Sequence, residues 1–235
     1  MKTILHKSED RGSVNFGWLE SRHSFSFGHY YDPAKIHFGK LRVLNDDIVD
    51  GGAGFPTHPH DNMEIISIPL SGALAHRDST GTEKAIQTGE VQIMSAGSGL
   101  THSEYNFSKD EKVNFLQIWV MPKEKDITPR YDQKHFDASD RKNQLQTVVA
   151  PDQETALWIN QDSWFSLADL DEGHSVNYDL RGKGNGIYVF NIEGETNIEG
   201  NVLKRRDAIG LSDTNGIELK AVANSKVLII EVPMN

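Results

Sequence analysis

Short apolar or alternating segments recur along this chain, and clusters of turn-forming residues separate them. The separators NDD, DGGAG, STGTE and AGSG are rich in Gly, Asn and Asp, which favour turns. No long stretch repeats apolar residues about every 3.6 positions, as an amphipathic helix would. Many short strands with regular turns predict an all-β sandwich or barrel. The segments are KLRVLNDDIV, MEIISIPLSGALAHRD, GEVQIMSAG and VNFLQIWVMP in the first half, and QLQTVVAP, ALWINQDSWFSLADL, IYVFNIEGETNIEG, DAIGLSD, IELKAV and KVLIIEVP in the second.

Two β-rich halves are joined by a charged segment. This segment runs from Pro122 to about Asp140 and also carries Pro129, so we interpret it as a connection between two units. IISIPLSGALAH in the first half aligns with YVFNIEGETNIEG in the second, and GEVQIMSAG aligns with RRDAIGLSD. The chain is therefore predicted to repeat one β architecture, with short helical turns only at DPAKI and SDRKN.

Composition narrows the classes of partner. The 235 residues include 24 Lys and Arg and 34 Asp and Glu, which gives a formal net charge of −10. An acidic surface repels phosphate backbones, so we expect no direct nucleic-acid partner. The absence of cysteine excludes disulfides, thiolate metal sites and cysteine nucleophiles. The first residues do not resemble a signal peptide, and no apolar run approaches the ~18 residues of a membrane span. A cytoplasmic location without a membrane partner is expected.

Two pairs of potential metal ligands stand out. His58 and His60 are two residues apart, and so are His102 and Glu104. Side chains at positions i and i+2 of a strand point to the same face, so two neighbouring strands can direct four ligands to one point. Three imidazoles and a carboxylate suit a divalent transition metal and leave positions free for a substrate. Structural zinc sites are usually closed and rich in thiolates, so a catalytic metal is favoured.

The carboxylate ligand is ambiguous from spacing alone. Glu64 follows His60 by four residues, so it shares that face if the strand is regular. It could bind the metal directly or orient a histidine ligand through a hydrogen bond. The residues themselves do not decide between Glu64 and Glu104.

The sequence around the two pairs supports the metal hypothesis. A single His-x-His pair is common on the exposed face of an ordinary strand, and the second pair is what favours a metal site. Gly97 and Gly99 precede the second pair and allow a tight turn with close backbone approach. Pro59 suits a strand at the rim of a barrel better than a central strand.

The remaining histidines have no partner at ligand spacing, so we expect them at the surface or in hydrogen bonds. The aromatic segment WLESRHSFSFGHYYDP is interpreted as a strand that packs Phe25 and Phe27 into a core, with a wall of the pocket as the alternative. Three tryptophans, Trp119, Trp158 and Trp164, are also predicted to be core residues. The histidines concerned are His6, His23, His29, His37, His76, His135 and His174.

GFPTHPHDNMEIISIPLSG and GEVQIMSAGSGLTHSEYN resemble the two motifs of a cupin, in the form found in pirins. RGSVNFGWLESRHSFSFGHYYDP and ITPRYDQKHF are also similar to that family. The resemblance covers most of the first 135 residues, whereas the second half is similar only in its β pattern and length. Bacterial pirin-like proteins with quercetin 2,3-dioxygenase activity are the most similar group.

The resemblance implies an all-β bicupin, with two jelly-roll barrels in one chain. The first barrel would span residues 1–135 and hold a metal, and the second would span residues 136–235 without one. The metal ligands implied by the family are His58, His60, His102 and Glu104, which favours Glu104 over Glu64.

Two functions follow as hypotheses. In the first, the protein is a dioxygenase that opens the central ring of flavonols such as quercetin with O2, releasing carbon monoxide and a depside. One divalent metal, with Fe(II) favoured over Zn, Mn, Co, Ni or Cu, would bind the flavonol, and Glu104 would be the general base. In the second, the resemblance to eukaryotic pirins implies a regulatory protein that binds a protein partner according to its metal or redox state.

Overall fold

The computed structural model describes residues 1–235, and almost all of its regular structure is β-strand. None of its helical segments has the length and apolar character needed to cross a membrane. The first twelve strands are β1 (Lys2–His6), β2 (Gly12–Asn15), β3 (Leu19–His23), β4 (Leu41–Val49), β5 (Gly54–His60), β6 (Glu64–Ser71), β7 (Ala73–Asp78), β8 (Glu83–Gln87), β9 (Glu90–Ser95), β10 (Leu100–Asn106), β11 (Val113–Val120) and β12 (Arg130–His135). The others are β13 (Gln146–Val149), β14 (Trp164–Leu170), β15 (Ser175–Asp179), β16 (Asn185–Glu193), β17 (Thr196–Ile198), β18 (Asn201–Leu203), β19 (Ala208–Ser212), β20 (Gly216–Ala221) and β21 (Ser225–Pro233).

The strands form two barrels, each built from a large and a small antiparallel sheet. The first barrel has the strand orders β12-β9-β6-β11-β4-β3-β2 and β5-β10-β7-β8. The second has the orders β1-β19-β16-β21-β14-β13 and β15-β20-β17-β18. Read in parallel, these orders make β9 equivalent to β19, β6 to β16 and β10 to β20. The repeated all-β architecture predicted from the sequence is therefore confirmed.

The N-terminal strand differs from the predicted assignment of residues 1–135 to the first barrel. Strand β1 pairs with β19 of the second barrel, from Lys2 opposite Ser212 to His6 opposite Ala208. In the first barrel, β12 occupies the equivalent edge beside β9. The same edge of the large sheet is thus formed in the first barrel by β12, which follows that barrel's other strands in the chain. In the second barrel it is formed by β1, at the N-terminus, so the N-terminal segment crosses from one barrel to the other. The assignment of residues 1–135 to a metal-holding barrel and of residues 136–235 to a barrel without metal stays a prediction.

The charged segment between the halves is more ordered than the sequence indicates. It contains β12, whose alternation is hidden by charged and polar side chains at an exposed sheet edge. A short 3-10 helix over Ala138–Arg141 confirms the helical turn predicted at SDRKN. The predicted helical turn at DPAKI is wrong, because residues 32–36 form hydrogen-bonded turns and a bend instead.

The two large sheets pack against each other and bury the main apolar core between the barrels. Strand β6 shows how alternation separates two environments: Ile66 and Ile68 lie in this core, whereas Ser67 points into the first barrel. A few polar contacts also join the barrels, including the ion pair between Arg206 Nε and Asp46 Oδ2 at 3.1 Å. Side chains on one face of the large sheets thus fix the barrels together, and the other face lines each interior.

His6 anchors the N-terminal strand to the second barrel. Its Nδ1 lies 2.8 Å from the hydroxyl of buried Tyr188, and its ring packs edge-on against Phe25 and Tyr188. We expect His6→Ala to lower the free energy of unfolding by ~2–4 kcal/mol, because it removes a buried ring and leaves the Tyr188 hydroxyl without this partner. Urea unfolding checks this against His174→Ala, at an exposed position, and equal stability of the two variants would contradict it.

Candidate metal centre

The predicted ligands come together on two paired strands of the first barrel. His58 and His60 lie on β5, at the edge of the small sheet, and His102 and Glu104 lie on its neighbour β10. In the register of this pair, His58 lies directly opposite His102. A register shift between His102 and Glu104 then places Phe55 opposite Glu104. Alternation therefore directs both pairs into the barrel, as their spacing predicts.

Three histidines form one compact group. The ring centroids of His58 and His60 are 4.8 Å apart, and those of His58 and His102 are 4.5 Å apart. One ring nitrogen from each of the three lies within 4.8 Å of the others, which is close enough to share one ion. His102 is buried, whereas His58 and His60 are half-buried at the barrel mouth. The group is therefore open on one side.

Glu104 belongs to a second, overlapping group rather than to the first. One of its oxygens lies within 4.8 Å of ring nitrogens of His76 and His102. Gln117 Nε2 donates to its Oε2 at 2.8 Å, and Ser67 Oγ lies 3.2 Å from its Oε1. Burial raises the pKa of the Glu104 carboxyl to about 7, because the charged form loses its water. As a four-ligand set, His58, His60, His102 and Glu104 remain a prediction.

Glu64 lies away from both groups. Strand β5 ends at His60, a turn with Asn62 at φ 45° follows, and Glu64 begins the next strand. The face shared by His60 and Glu64 in a regular strand is therefore lost. Glu64 Oε2 accepts hydrogen bonds from Ser95 Oγ at 2.8 Å and from the Asn160 backbone N–H at 3.2 Å. Glu64 thus links the barrels on the opposite face of the large sheet.

The chemistry of the histidine group fits a divalent metal ion. Both ring nitrogens of His102 are buried and lack a hydrogen-bond partner, a costly arrangement unless a ligand compensates it. Burial, with a further contribution from neighbouring histidines, lowers the pKa of His60 to about 4 and that of His102 to about 2. Neutral imidazole is the form that binds metal, so these side chains are ready as ligands at neutral pH.

An aromatic side chain packs against the histidine group. Trp119 packs edge-on against His60 with ring centroids 4.9 Å apart, and Phe27 packs against Trp119 at 5.3 Å. Trp119 also packs, partly buried, against a small apolar cluster of the first barrel, so its prediction as a core residue holds in part. Phe25 lies in the main apolar core as predicted, whereas Phe27 does not. Trp158 is also not a core residue, because it is 41% exposed. The sequence pattern did not show that Trp119 also contacts a histidine of the group, because that contact joins strands β11 and β5.

His76 is a buried histidine that the sequence analysis did not connect with the site. It lies on β7 directly opposite Glu104, and Asp78 lies opposite His102. His76 Nε2 and Asp78 Oδ2 are 2.9 Å apart. His76 and Asp78 in ALAHRD are two residues apart, as in the two recognised pairs. This spacing was the sequence signal that could have connected His76 with the site.

The turn before β10 is built as predicted. Gly97 and Gly99 have φ values of 50° and 120°, which favour glycine. A Cβ on Gly97 would lie 2.0 Å from the carbonyl oxygen of Ile127, so only glycine fits this close approach. Pro59 lies on β5, which is an edge strand, as expected for a residue without an N–H donor.

Comparison with known families supports this description. Residues 5–120 match the family model described as Pirin, and residues 147–232 match the model described as Quercetinase C-terminal cupin domain. The chain is 41% identical over 234 residues to the Escherichia coli K12 protein named quercetin 2,3-dioxygenase, covering 97% of this chain and 98% of that one. The chain belongs to the pirin family.

Solved structures show the same fold. The crystal structure of YhhW from Escherichia coli is similar with a TM-score of 0.94 and 39% identity, covering 99% of this chain and 98% of that one. A structure of the bacterial pirin YhhW in complex with nickel(II) has a TM-score of 0.93 and 37% identity, with 99% of each chain covered. A relative with the same two-barrel fold thus has a metal complex.

A second buried carboxyl in the first barrel gives a pH-dependent prediction. Burial raises the pKa of Asp47 to about 7, although Ser21 donates a hydrogen bond to it. Below pH ~4 this group is protonated in both the folded and the unfolded state. Between pH ~4 and ~7 only the folded state keeps the proton. The free energy of unfolding of the metal-free protein should therefore fall by ~1.4 kcal/mol for each unit of increase in pH through this group.

Asp47→Asn should therefore flatten the fall in stability between pH 4 and 7, since the amide does not ionise. Glu104 acts in the same direction, so part of the slope should remain in this variant. Urea unfolding of metal-free protein across this pH range measures the slope, with Asp110→Asn at an exposed position as the control. An unchanged slope in Asp47→Asn would contradict the prediction.

Proposed function

We propose that this protein is a metal-dependent dioxygenase that opens the heterocyclic ring of flavonols such as quercetin with O2. The observation that carries the proposal is the His58, His60 and His102 group at the open mouth of the first barrel. The name of the Escherichia coli relative, quercetin 2,3-dioxygenase, supports the reaction class. The cytoplasmic location stays a prediction.

The proposed ligands of one divalent metal are His58, His60, His102 and Glu104. We favour Fe(II), while Zn, Mn, Co, Ni and Cu also accept imidazole and carboxylate ligands. When bound, such an ion supplies a Lewis acid and a template that orients substrate and O2. One Glu104 oxygen lies within 4.8 Å of a ring nitrogen of His102, and His102 belongs to both ligand groups.

The side chains around the centre suit a flat phenolic substrate. His58 and His60 are half-buried, so a substrate reaches the centre from their side. Trp119 presents an aromatic ring beside His60, and Phe27 packs edge-on against Trp119. Such a ring packs well against a flavonol. Glu104 is the proposed general base, which accepts the proton of the flavonol hydroxyl at a carboxylate oxygen. Gln117 holds this carboxylate in place through its hydrogen bond.

We expect His102→Ala to lose metal and His58→Ala to bind it more weakly, because each removes a proposed ligand. Both variants should reduce quercetin turnover by more than ~100-fold. Oxygen uptake with quercetin, measured for metal-free protein and for protein loaded with Fe(II) or other divalent metals, checks this. His174→Ala changes an exposed histidine of the second barrel and should leave both properties unchanged.

The outcomes of this experiment separate the two functions considered. Metal-dependent uptake that matches quercetin loss would support the dioxygenase. Stoichiometric metal binding without turnover of any flavonol would overturn the enzymatic proposal and favour a regulatory protein with a protein partner. A variant that lacks metal yet keeps full activity would overturn the role assigned to the histidines.

A further inference from the structure

His76 is a histidine buried in the first barrel, and one of its ring nitrogens has no partner. Its side chain is 1% exposed, in the middle of β7, and its ring packs against Tyr131 with centroids 4.6 Å apart. Its Nδ1 is buried without any hydrogen-bond partner. A buried polar atom without a partner costs free energy, so a role for this nitrogen is expected.

Asp78 determines which nitrogen of the His76 ring carries the proton. The Asp78 carboxylate accepts hydrogen bonds from the Thr80 backbone N–H and hydroxyl and from the Thr82 backbone N–H, all at its Oδ1. Its Oδ2 is left for His76 Nε2, which lies 2.9 Å away and donates its proton there. In the neutral ring this assignment places the free lone pair on Nδ1. A carboxylate that orients a histidine in this way is typical of metal sites.

Two further potential metal ligands lie close to His76. One ring nitrogen of His76, one of His102 and one oxygen of Glu104 lie within 4.8 Å of one another, and all three side chains are buried. The strand register produces this arrangement, because Glu104 is directly opposite His76 across the β7–β10 ladder. Two imidazoles and a carboxylate form a ligand set suited to divalent transition metals.

His102 is common to this group and to the outer group of His58 and His60. We propose that His76, oriented by Asp78, completes a second, buried ligand set with His102 and Glu104, so that the barrel holds a divalent cation in either of two overlapping positions. This inference rests on the proposed metal centre and adds His76 and Asp78 to it. A cation in the inner position has only buried ligands, so it is shielded from a substrate at the barrel mouth.

The test uses Co(II) as the probe and the full chain with paired substitutions. A variant with both His58→Ala and His60→Ala loses two outer ligands and keeps the inner set. We expect it to bind one Co(II) per chain with an affinity at least ~10-fold below that of the wild type. Adding His76→Phe should abolish this binding, because phenylalanine keeps a ring against Tyr131 but lacks a nitrogen. Titration calorimetry measures stoichiometry and affinity, and circular dichroism checks folding.

A second measurement does not depend on the folding of the double variant. His76→Phe alone keeps the outer set, so its visible Co(II) spectrum should report the outer position only. The wild-type spectrum should then differ from it by a contribution from the inner position. His174→Phe, at an exposed site, should give the wild-type spectrum.

The results distinguish failure of this inference from failure of the proposed metal centre. If the wild type binds no Co(II), the metal centre itself is overturned. If the wild type binds Co(II) but a folded His58→Ala, His60→Ala variant does not, only the inner ligand set is overturned. A His76→Phe spectrum identical to that of the wild type would also overturn the inner set alone.

Discussion

Strand β10 lies between β5 and β7, and this pairing brings the potential metal ligands together. Its alternation turns His102 and Glu104 into the barrel, and the two ladders place a histidine opposite each of them. His58 lies opposite His102, and His76 lies opposite Glu104. A shift of the register by one residue would turn a whole strand face outward and separate every potential ligand. The glycine turn before β10, anchored on the Ile127 carbonyl, sets where this strand begins.

Packing between the barrels explains how the first barrel stays folded with a polar interior. The main apolar core lies between the two large sheets, outside both barrel interiors. Only small apolar clusters line the first barrel, and one of them includes Val49 and Phe115. Burial of the sheet faces therefore stabilises the first barrel from outside. Its interior can then hold Asp47 and Glu104 without breaking the fold, although burial makes the charged form of each costly.

Alternation and turn residues were sufficient to predict the fold class and the inward direction of two ligand pairs. They were not sufficient where the chain departs from a regular strand. Glu64 was ambiguous because spacing does not show that a turn at Asn62 separates it from His60. His76 was not recognised because its partners, Asp78 apart, are distant in sequence and meet it only through strand register. The position of β1 in the second barrel depends on a pairing with β19 that local sequence does not encode.

The equivalence of the two barrels shows what the second contributes. Strand β20 is the counterpart of β10, and its inward positions carry Ile217 and Leu219, where β10 carries histidine and glutamate. These side chains join an apolar cluster that fills the second interior. Burial of such side chains favours folding by ~1.5–3 kcal/mol each, whereas a buried polar atom without a partner costs ~1–3 kcal/mol. Because the barrels share one core, the apolar second barrel stabilises a first barrel whose interior is arranged for chemistry rather than for stability.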